Sequence, residues 1–177
     1  LSTSQFAIAE SVTLKFHTFV PMPANSNAKF VKPWADKVAN ESNGEIKVEM
    51  YPSMQLGGAP PQLVDQVRDG VVDIVWTVAG YTPGRFPRLE VFELPFMPAT
   101  ATATSQAIQE YVDTVAAEDL KDYKVLAVHV HAPGKIHTKN RLIKSASDLK
   151  GLKMRGPTRP ITQMLEKLGA TPVGMPV

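Results

Sequence analysis

The chain has 177 residues, 44% of them hydrophobic, which suffices for one domain with a real core or for two small lobes. It has no cysteine, which excludes disulfides and thiolate metal sites, and no apolar run near the roughly 20 residues that a membrane-spanning helix needs, so no direct membrane insertion is expected. The net charge of +2 is unevenly spread: residues 1–120 hold eight Lys and Arg against fourteen Asp and Glu, a net of −6, and residues 121–177 hold eleven against three, a net of +8. Such asymmetry suggests an anionic partner for the second part. The basic residues are spaced out, without aromatic interleaving or a nucleic-acid motif, so a small anion or a solvated face is favoured over nucleic acid.

In chain order, "FAIAES" at residues 6–11 carries a small-x-small pattern like a signal-peptidase site, and residues 1–11 read as an export-signal remnant or an appended tail. "VTLKFHTF" (12–19) alternates as a strand does. A helix follows, with Phe30, Trp34 and Val38 expected on one face, Pro33 bending it or marking its first turn, and Gly44 ending it. Residues 45–52 form a second strand. A Gly/Pro loop then leads to a short helix with proline in its first turn and Gly70 as its stop. "VVDIVWTVAG" (71–80) has the continuous apolar character of a buried parallel strand. The proline-rich stretch 81–98 reads as a loop. Ile108, Tyr111, Val112 and Val115 mark an amphipathic helix. "YKVLAVHVH" (123–131) is expected as a strand, with a hairpin-like continuation after it. A helical turn at Ser147-Asp148 precedes a strand ending near Arg155. A helix then runs from a Thr158 cap, with Pro160 in its first turn and Ile161, Met164, Leu165 and Leu168 on one face. Gly169 stops it, and another strand begins. Strands alternating with helices define an α/β fold with parallel sheets, whose ligands sit at the carboxyl ends of the strands.

Arg155 falls at such a strand end. Its planar guanidinium suits a carboxylate, and the alternative is a structural ion pair between elements. His129 and His131 share a strand face and could hold a metal with His137, but no further ligand lies at a useful spacing. A satisfied, partly buried pair is the plainer reading, and no metal is expected. No nucleophile elbow, phosphate fingerprint or HExxH motif is present, and "LGGAPP" lacks the Gly-Lys-Ser/Thr ending of a P-loop. Asp65, Asp69 and Asp73 look like a solvated helix face plus a strand start rather than an acid/base pair. No catalytic residue is therefore assigned, and no cofactor. Trp76 and Tyr81 flank the end of the apolar strand, as a ligand wall or as core.

Five segments occur in order: "ESNGEIKVEMYPSMQLGG", "VRDGVVDIVWT", "FPRLEVFELPFM", "DLKGLKMRGP" and "LGATPVGMP". Together they closely resemble the substrate-binding proteins of tripartite ATP-independent periplasmic (TRAP) transporters, over about Val12 to Val177. The resemblance implies a type II periplasmic-binding-protein fold. Two α/β lobes joined by hinge strands would close over an organic acid, with lobe I at 12–125 and the start of lobe II at 126–177. It implies a periplasmic location and TRAP membrane subunits as partners. The family's signature arginine, in its Lys-hydrophobic-Arg-x-Pro segment, falls on Arg155 as the carboxylate clamp. The opposing wall would come from Phe19 and Asn25 in the loop after the first strand, and from Trp76, Thr77 and Tyr81. Two departures matter. Where sialic-acid-type members carry a second arginine, this chain has Lys135, a point charge that cannot act as a second bidentate clamp. Family members are also much longer, so the fold is expected to be incomplete at its C-terminus. One arginine, one lysine and aromatic walls point to a monocarboxylate, aromatic or 2-oxo. The alternatives are a carboxylate-sensing receptor for a signalling partner, or an enzyme on a bilobal scaffold.

Overall fold

The structure is a computed structural model that describes residues 11–177. All of the leader or tail expected at 1–11 except Ser11 lies outside the described residues. Contacts divide the chain into two compact units, one running to Thr77 and the other spanning Val78–Val177.

The first unit is built on a three-stranded parallel sheet. Strand β1 (Val12–Thr18) lies between β2 (Ile46–Tyr51) and β3 (Ile74–Trp76). Val12 pairs with Ile46 and His17 with Tyr51 on one side, and Phe16 pairs with Ile74 and Thr18 with Trp76 on the other. The central position explains why Phe16, His17 and Thr18 are all buried: a parallel strand with neighbours on both edges is covered on both faces. The apolar run 71–80 contributes only Ile74–Trp76 to the ladder. Just before it, the Asp73 carboxylate accepts the Lys15 N–H at 2.8 Å, and the Asp73 N–H donates to the Lys15 carbonyl at 3.1 Å. Asp73 thus pins the strand's entry, as its placement at a strand start suggested.

The helix after β1 differs from expectation in phase. Residues Asn27–Val31 form a π-helical turn that passes directly into α1 (Lys32–Glu41). The Lys32 N–H donates to the Asn27 carbonyl five residues back. The wider turn sets Pro33, which has no N–H to give, in the first turn of α1. The buried line is Asn27, Val31 and Ala35, while Phe30 is largely exposed, so the expected face of Phe30, Trp34 and Val38 is off by one position. Pro60–Gln62 form a 3-10 turn leading into α2 (Leu63–Arg68), and Gly70 follows with φ +72°. That is a left-handed turn residue at the helix exit, as the sequence required.

In the second unit, the proline-rich stretch expected as a loop contains 3-10 turns at Ala79–Tyr81 and Pro87–Glu93. Helix α3 (Ala101–Thr114) follows, with the Thr100 hydroxyl accepting the Ala103 N–H and with Ile108 and Val112 buried. The expected strand 123–131 and its hairpin-like continuation do not form ladders among the described residues. Residues 128–130 are held by side chains instead. The Val128 N–H donates to Gln109 Oε1 at 3.1 Å and the Val130 N–H to Ser105 Oγ at 3.0 Å, both acceptors lying on α3. His129 and His131 are exposed rather than partly buried, because the alternation places Val128 and Val130 on the inner side.

The chain then forms a strand-helix-strand unit: β4 (Lys153–Gly156), α4 (Arg159–Lys167) and β5 (Thr171–Gly174), with β4 and β5 parallel. Leu149, Leu165 and Ala170 are its buried core, with Ile143, Met154 and Ile161 packed against them. Gly156 is required by close approach. A Cβ there would come within 2.5 Å of Thr162 Cγ2 and 3.2 Å of the Thr162 backbone on α4. Before β4, the Lys144 and Ser145 N–H groups donate to the Asp148 carboxylate, both at 2.9 Å, and hold it below the usual carboxylate range.

Candidate functional site

The carboxyl end of the first sheet carries an aromatic pair. Phe19 directly follows β1, and Trp76 is the last residue of β3. Because Thr18 and Trp76 are register partners, the two rings meet at 5.7 Å between centroids and 26° between planes. The loop beyond Phe19 is tied down by buried polar groups. Thr18 Oγ1 accepts the Val20 N–H at 3.2 Å, and Asn27 Nδ2 donates to the Val20 and Pro21 carbonyls at 2.9 and 3.3 Å. Asn27 is completely buried, whereas Asn25, singled out from the sequence, is exposed.

Beneath the pair lies His17, also completely buried. Gln66 Nε2 donates to the Gly57 carbonyl at 3.1 Å, which leaves Gln66 Oε1 as the acceptor for His17 Nδ1 at 2.7 Å. His17 Nε2 then accepts the Leu56 N–H at 3.4 Å. This network ties the loop after β2 to α2 and supports the strand end from below. Its members lie 39 and 49 residues apart in sequence, so no local pattern could have revealed them.

Arg155 sits in β4. Its neighbour Met154 packs into the core, so strand alternation puts Arg155 on the opposite, exposed face. The ion-pair alternative is not realised: among the described residues no carboxylate lies within salt-bridge distance of it. Instead, Arg155 Nε donates to the Met175 carbonyl at 2.9 Å, beyond the end of β5. That bond orients the guanidinium and leaves its Nη1/Nη2 edge open. Two parallel N–H donors on a fixed plane are the geometry that a carboxylate accepts bidentately. Lys135 lies in 131–142, a stretch exposed throughout. Tyr81 ends the Ala79–Tyr81 turn and is buried, and Thr77 follows Trp76 half-buried. Thus Phe19 and Trp76 come together in the first unit, and Arg155, Lys135 and Tyr81 belong to the second.

A carboxylate cluster outside this set was not anticipated. The Thr158 hydroxyl, expected to cap α4, donates instead to Glu93 Oε2. One residue on, Arg159 Nη2 contacts both Glu90 oxygens, at 2.8 and 2.7 Å. Burial pushes the Glu93 carboxyl above its ordinary value, while the Thr158 hydroxyl draws it back, the Glu90 charge adds to the rise and His131 opposes it. A recess of about 320 Å³ beside this cluster is lined by Glu90, Val91, Leu94, Pro160 and Gln163. None of the candidate ligand-binding residues named from the sequence lines it, and Glu90 makes it a poor place for an anion. Among the described residues no group of three or more His, Asp or Glu side chains is disposed to hold a metal, and no helix is long and apolar enough to cross a membrane.

Each unit is α/β: the first carries parallel strands that end in an aromatic pair, and the second a strand-helix-strand unit with an exposed arginine. The chain belongs to the DctP family, bacterial extracellular solute-binding protein family 7, whose model matches residues 18–177. Among curated relatives it is 33% identical over 171 residues to "Outer membrane transporter protein TsaT" of Comamonas testosteroni, covering 95% of this chain and 50% of that one. Among solved structures it resembles a marine metagenome TRAP solute-binding protein, from an unidentified microbe, specific for aromatic acid ligands and crystallised with 3-hydroxybenzoate. That likeness has 83% identity and a TM-score of 0.92, over 94% of this chain and 52% of the other. A TRAP solute-binding protein from Rhodoferax ferrireducens T118, holding copurified benzoate, is 61% identical with a TM-score of 0.91, again over 94% and 52%. The fold is that of TRAP periplasmic binding proteins, and the chain spans about half the length of the relatives it matches.

Proposed function

We propose that this chain belongs to a periplasmic receptor that captures a small aromatic monocarboxylate and delivers it unchanged to TRAP membrane subunits. Residues 12–125 are assigned to lobe I and 126–177 to the start of lobe II. The single observation that carries the reading is Arg155, exposed, with no carboxylate within salt-bridge distance among the described residues, and oriented through its Nε bond to the Met175 carbonyl. The Phe19–Trp76 pair supplies flat apolar surface for a ring, and Thr77, Tyr81 and Asn25 complete the proposed wall. Lys135 adds positive charge without a second fork, which favours one carboxylate over a sugar acid that needs two anchors. The 3-hydroxybenzoate and benzoate bound by the two similar receptors support the same ligand class.

The test is calorimetric titration of the intact protein with benzoate, 3-hydroxybenzoate and D-glucuronate, followed by mass spectrometry of the recovered ligand. Binding of the two aromatic acids, weak or no binding of the sugar acid, and unchanged ligand are expected. Preference for glucuronate would overturn the ligand class, and a chemically altered acid would overturn the receptor role in favour of an enzyme.

A further inference from the structure

The loop between β2 and α2 holds two residues other than glycine in left-handed backbone, Ser53 at φ +53° and Met54 at φ +57°. A residue with a Cβ is strained there, and such a conformation persists where its surroundings hold it. Both residues use their N–H groups on the exit of β1. Ser53 donates to the Val20 carbonyl at 3.2 Å and Met54 to the Thr18 carbonyl at 3.0 Å, so the two residues that flank Phe19 are both held by the strained pair. On its other side Thr18 is the register partner of Trp76. We propose that His17 and Gln66 are positioning residues for ring recognition: they hold this loop in its strained form, and the loop in turn fixes Phe19 against Trp76. The inference rests on the assignment of the Phe19–Trp76 pair to the ligand wall made above.

Three observations carry it. The two side chains tie the far end of the loop. The Leu56 N–H donates to His17 Nε2 at 3.4 Å, Gln66 Nε2 donates to the Gly57 carbonyl at 3.1 Å, and His17 Nδ1 donates to Gln66 Oε1 at 2.7 Å, which joins the two ties. His17 is completely buried, so water does not replace a partner lost there. Third, the loop lies directly on α2. Gly58 has φ +86°, and a Cβ there would come within 2.9 Å of Gln66 Nε2 and 3.1 Å of Gln62 Oε1.

The strain gives the network its leverage on the ring pair. Removing Gln66 leaves the Gly57 carbonyl and His17 Nδ1 without their partner together, and the tie that opposes the strain is gone. Ser53 and Met54 then relax out of the left-handed region, and that turn of the backbone withdraws their N–H groups from Val20 and Thr18. Phe19 is left held from the β3 side alone, and the ring pair loses its fixed plane. A flat ring gains most from a wall that is already flat and still, so aromatic acids bind more weakly to the loosened pair.

The experiment uses the intact protein labelled with 5-fluorotryptophan. Fluorine NMR follows Trp76, whose resonance is assigned by its loss in Trp76→Phe, and Phe19→Leu gives its position without the stacked ring. Benzoate affinity is measured by calorimetric titration of the same variants. Gln66→Met and His17→Leu are expected to move the ligand-free Trp76 resonance at least halfway toward its Phe19→Leu position, or to split it, and to weaken benzoate about three- to tenfold. Ser53 is exposed, and glycine takes its left-handed backbone without strain, so Gln66→Met/Ser53→Gly should recover at least half of the affinity lost in Gln66→Met. If His17→Leu does not fold, Gln66→Met, half-buried on α2, carries the test alone. Variants that lower the melting temperature while leaving the Trp76 resonance and benzoate affinity unchanged would show that the network only stabilises the fold, and would overturn the proposal. A double variant no better than Gln66→Met would overturn it too, because strain in the loop would not be the link. If wild type does not bind benzoate, the ligand reading falls by itself. The ligand-free resonance then decides the positioning role: a Trp76 signal that moves in Gln66→Met and returns in the double variant supports it, and one that stays in place overturns it.

Discussion

Replacing Arg155 by alanine removes the open Nη1/Nη2 edge and the Nε bond to Met175 together. A carboxylate seated on that edge receives two charge-assisted hydrogen bonds. Such bonds contribute roughly 1.5–3 kcal/mol each, and truncating one partner of a desolvated charge pair costs about 3–5 kcal/mol in all. That corresponds to a loss of about a hundredfold or more in affinity. The Met175 bond refines the expectation for Arg155→Lys. Lysine keeps the positive charge but has neither the fork nor a group at the Nε position, so it offers the carboxylate one directed contact from an untethered stem. Lysine should therefore fall between wild type and alanine, at about a tenfold loss or more. Calorimetric titration of the intact variants with benzoate measures both, and circular dichroism checks that the fold is retained. Arg155 is exposed and its neighbour Met154 carries the core contact, so neither substitution should disturb the β4–α4–β5 packing. A folded Arg155→Ala protein that binds benzoate within threefold of wild type would refute the clamp.

Lys135 acts at longer range: Lys135→Met should weaken benzoate binding only modestly, and 0.5 M salt should erase the difference, since exposed charges are screened over several ångströms. A loss as large as that of Arg155→Ala would instead make Lys135 a direct ligand. Gly156→Ala drives a methyl group into Thr162 and should lower stability by about 1–3 kcal/mol in urea titration, with Thr162→Ser as a second-site change that relieves part of it. An unchanged unfolding midpoint would contradict the close-packing argument. Glu93 carries a pH signature. Burial raises its folded-state value above the ordinary 4.5, so its contribution is fully present below about that pH and is lost as pH rises through the raised value. Glu93→Gln keeps an acceptor for Thr158 and has no charge to desolvate. It should melt above wild type at pH 7.5, with the gap closing by about pH 4, provided Glu90, Arg159 and His131 around it are unaltered. A constant gap across that range would remove burial of the charge as the cause.

The parts of the fold legible in the sequence are those fixed by short-range chemistry. Strand alternation in β1 and β2, the helical spacing of Ile108 and Val112, Pro160 at the start of α4 and Gly70 after α2 are each set by residues a turn or less away. The 123–131 segment failed for the opposite reason. Its alternation is real and puts Val128 and Val130 inward, but a strand also needs a partner, and here side chains of Gln109 and Ser105 take the backbone donors. The helix face around Phe30 slipped because one π turn inserts an extra residue ahead of Pro33, and a 3.6-residue period cannot anticipate it. At the candidate site, Trp76 was readable with Tyr81 as an aromatic flanking a strand end and Arg155 as a charge in an apolar run, whereas Phe19 was implied only by the family resemblance. Their immediate settings, a stacked ring pair and an arginine tethered through Nε, depend on strand register and on β5. Asn27, His17 and Gln66, which hold the first sheet's end in place, were invisible because polar residues carry no periodic signal.

A crystal structure of the intact protein grown with 3-hydroxybenzoate tests most directly whether an aromatic carboxylate is held by Arg155. The expected result is the ligand carboxylate within about 2.7–3.0 Å of both Arg155 Nη atoms, with Nε still on the Met175 carbonyl and the ring against Phe19 and Trp76. A carboxylate bound elsewhere, or an Arg155 that pairs with a protein carboxylate while the ligand is present, would contradict it.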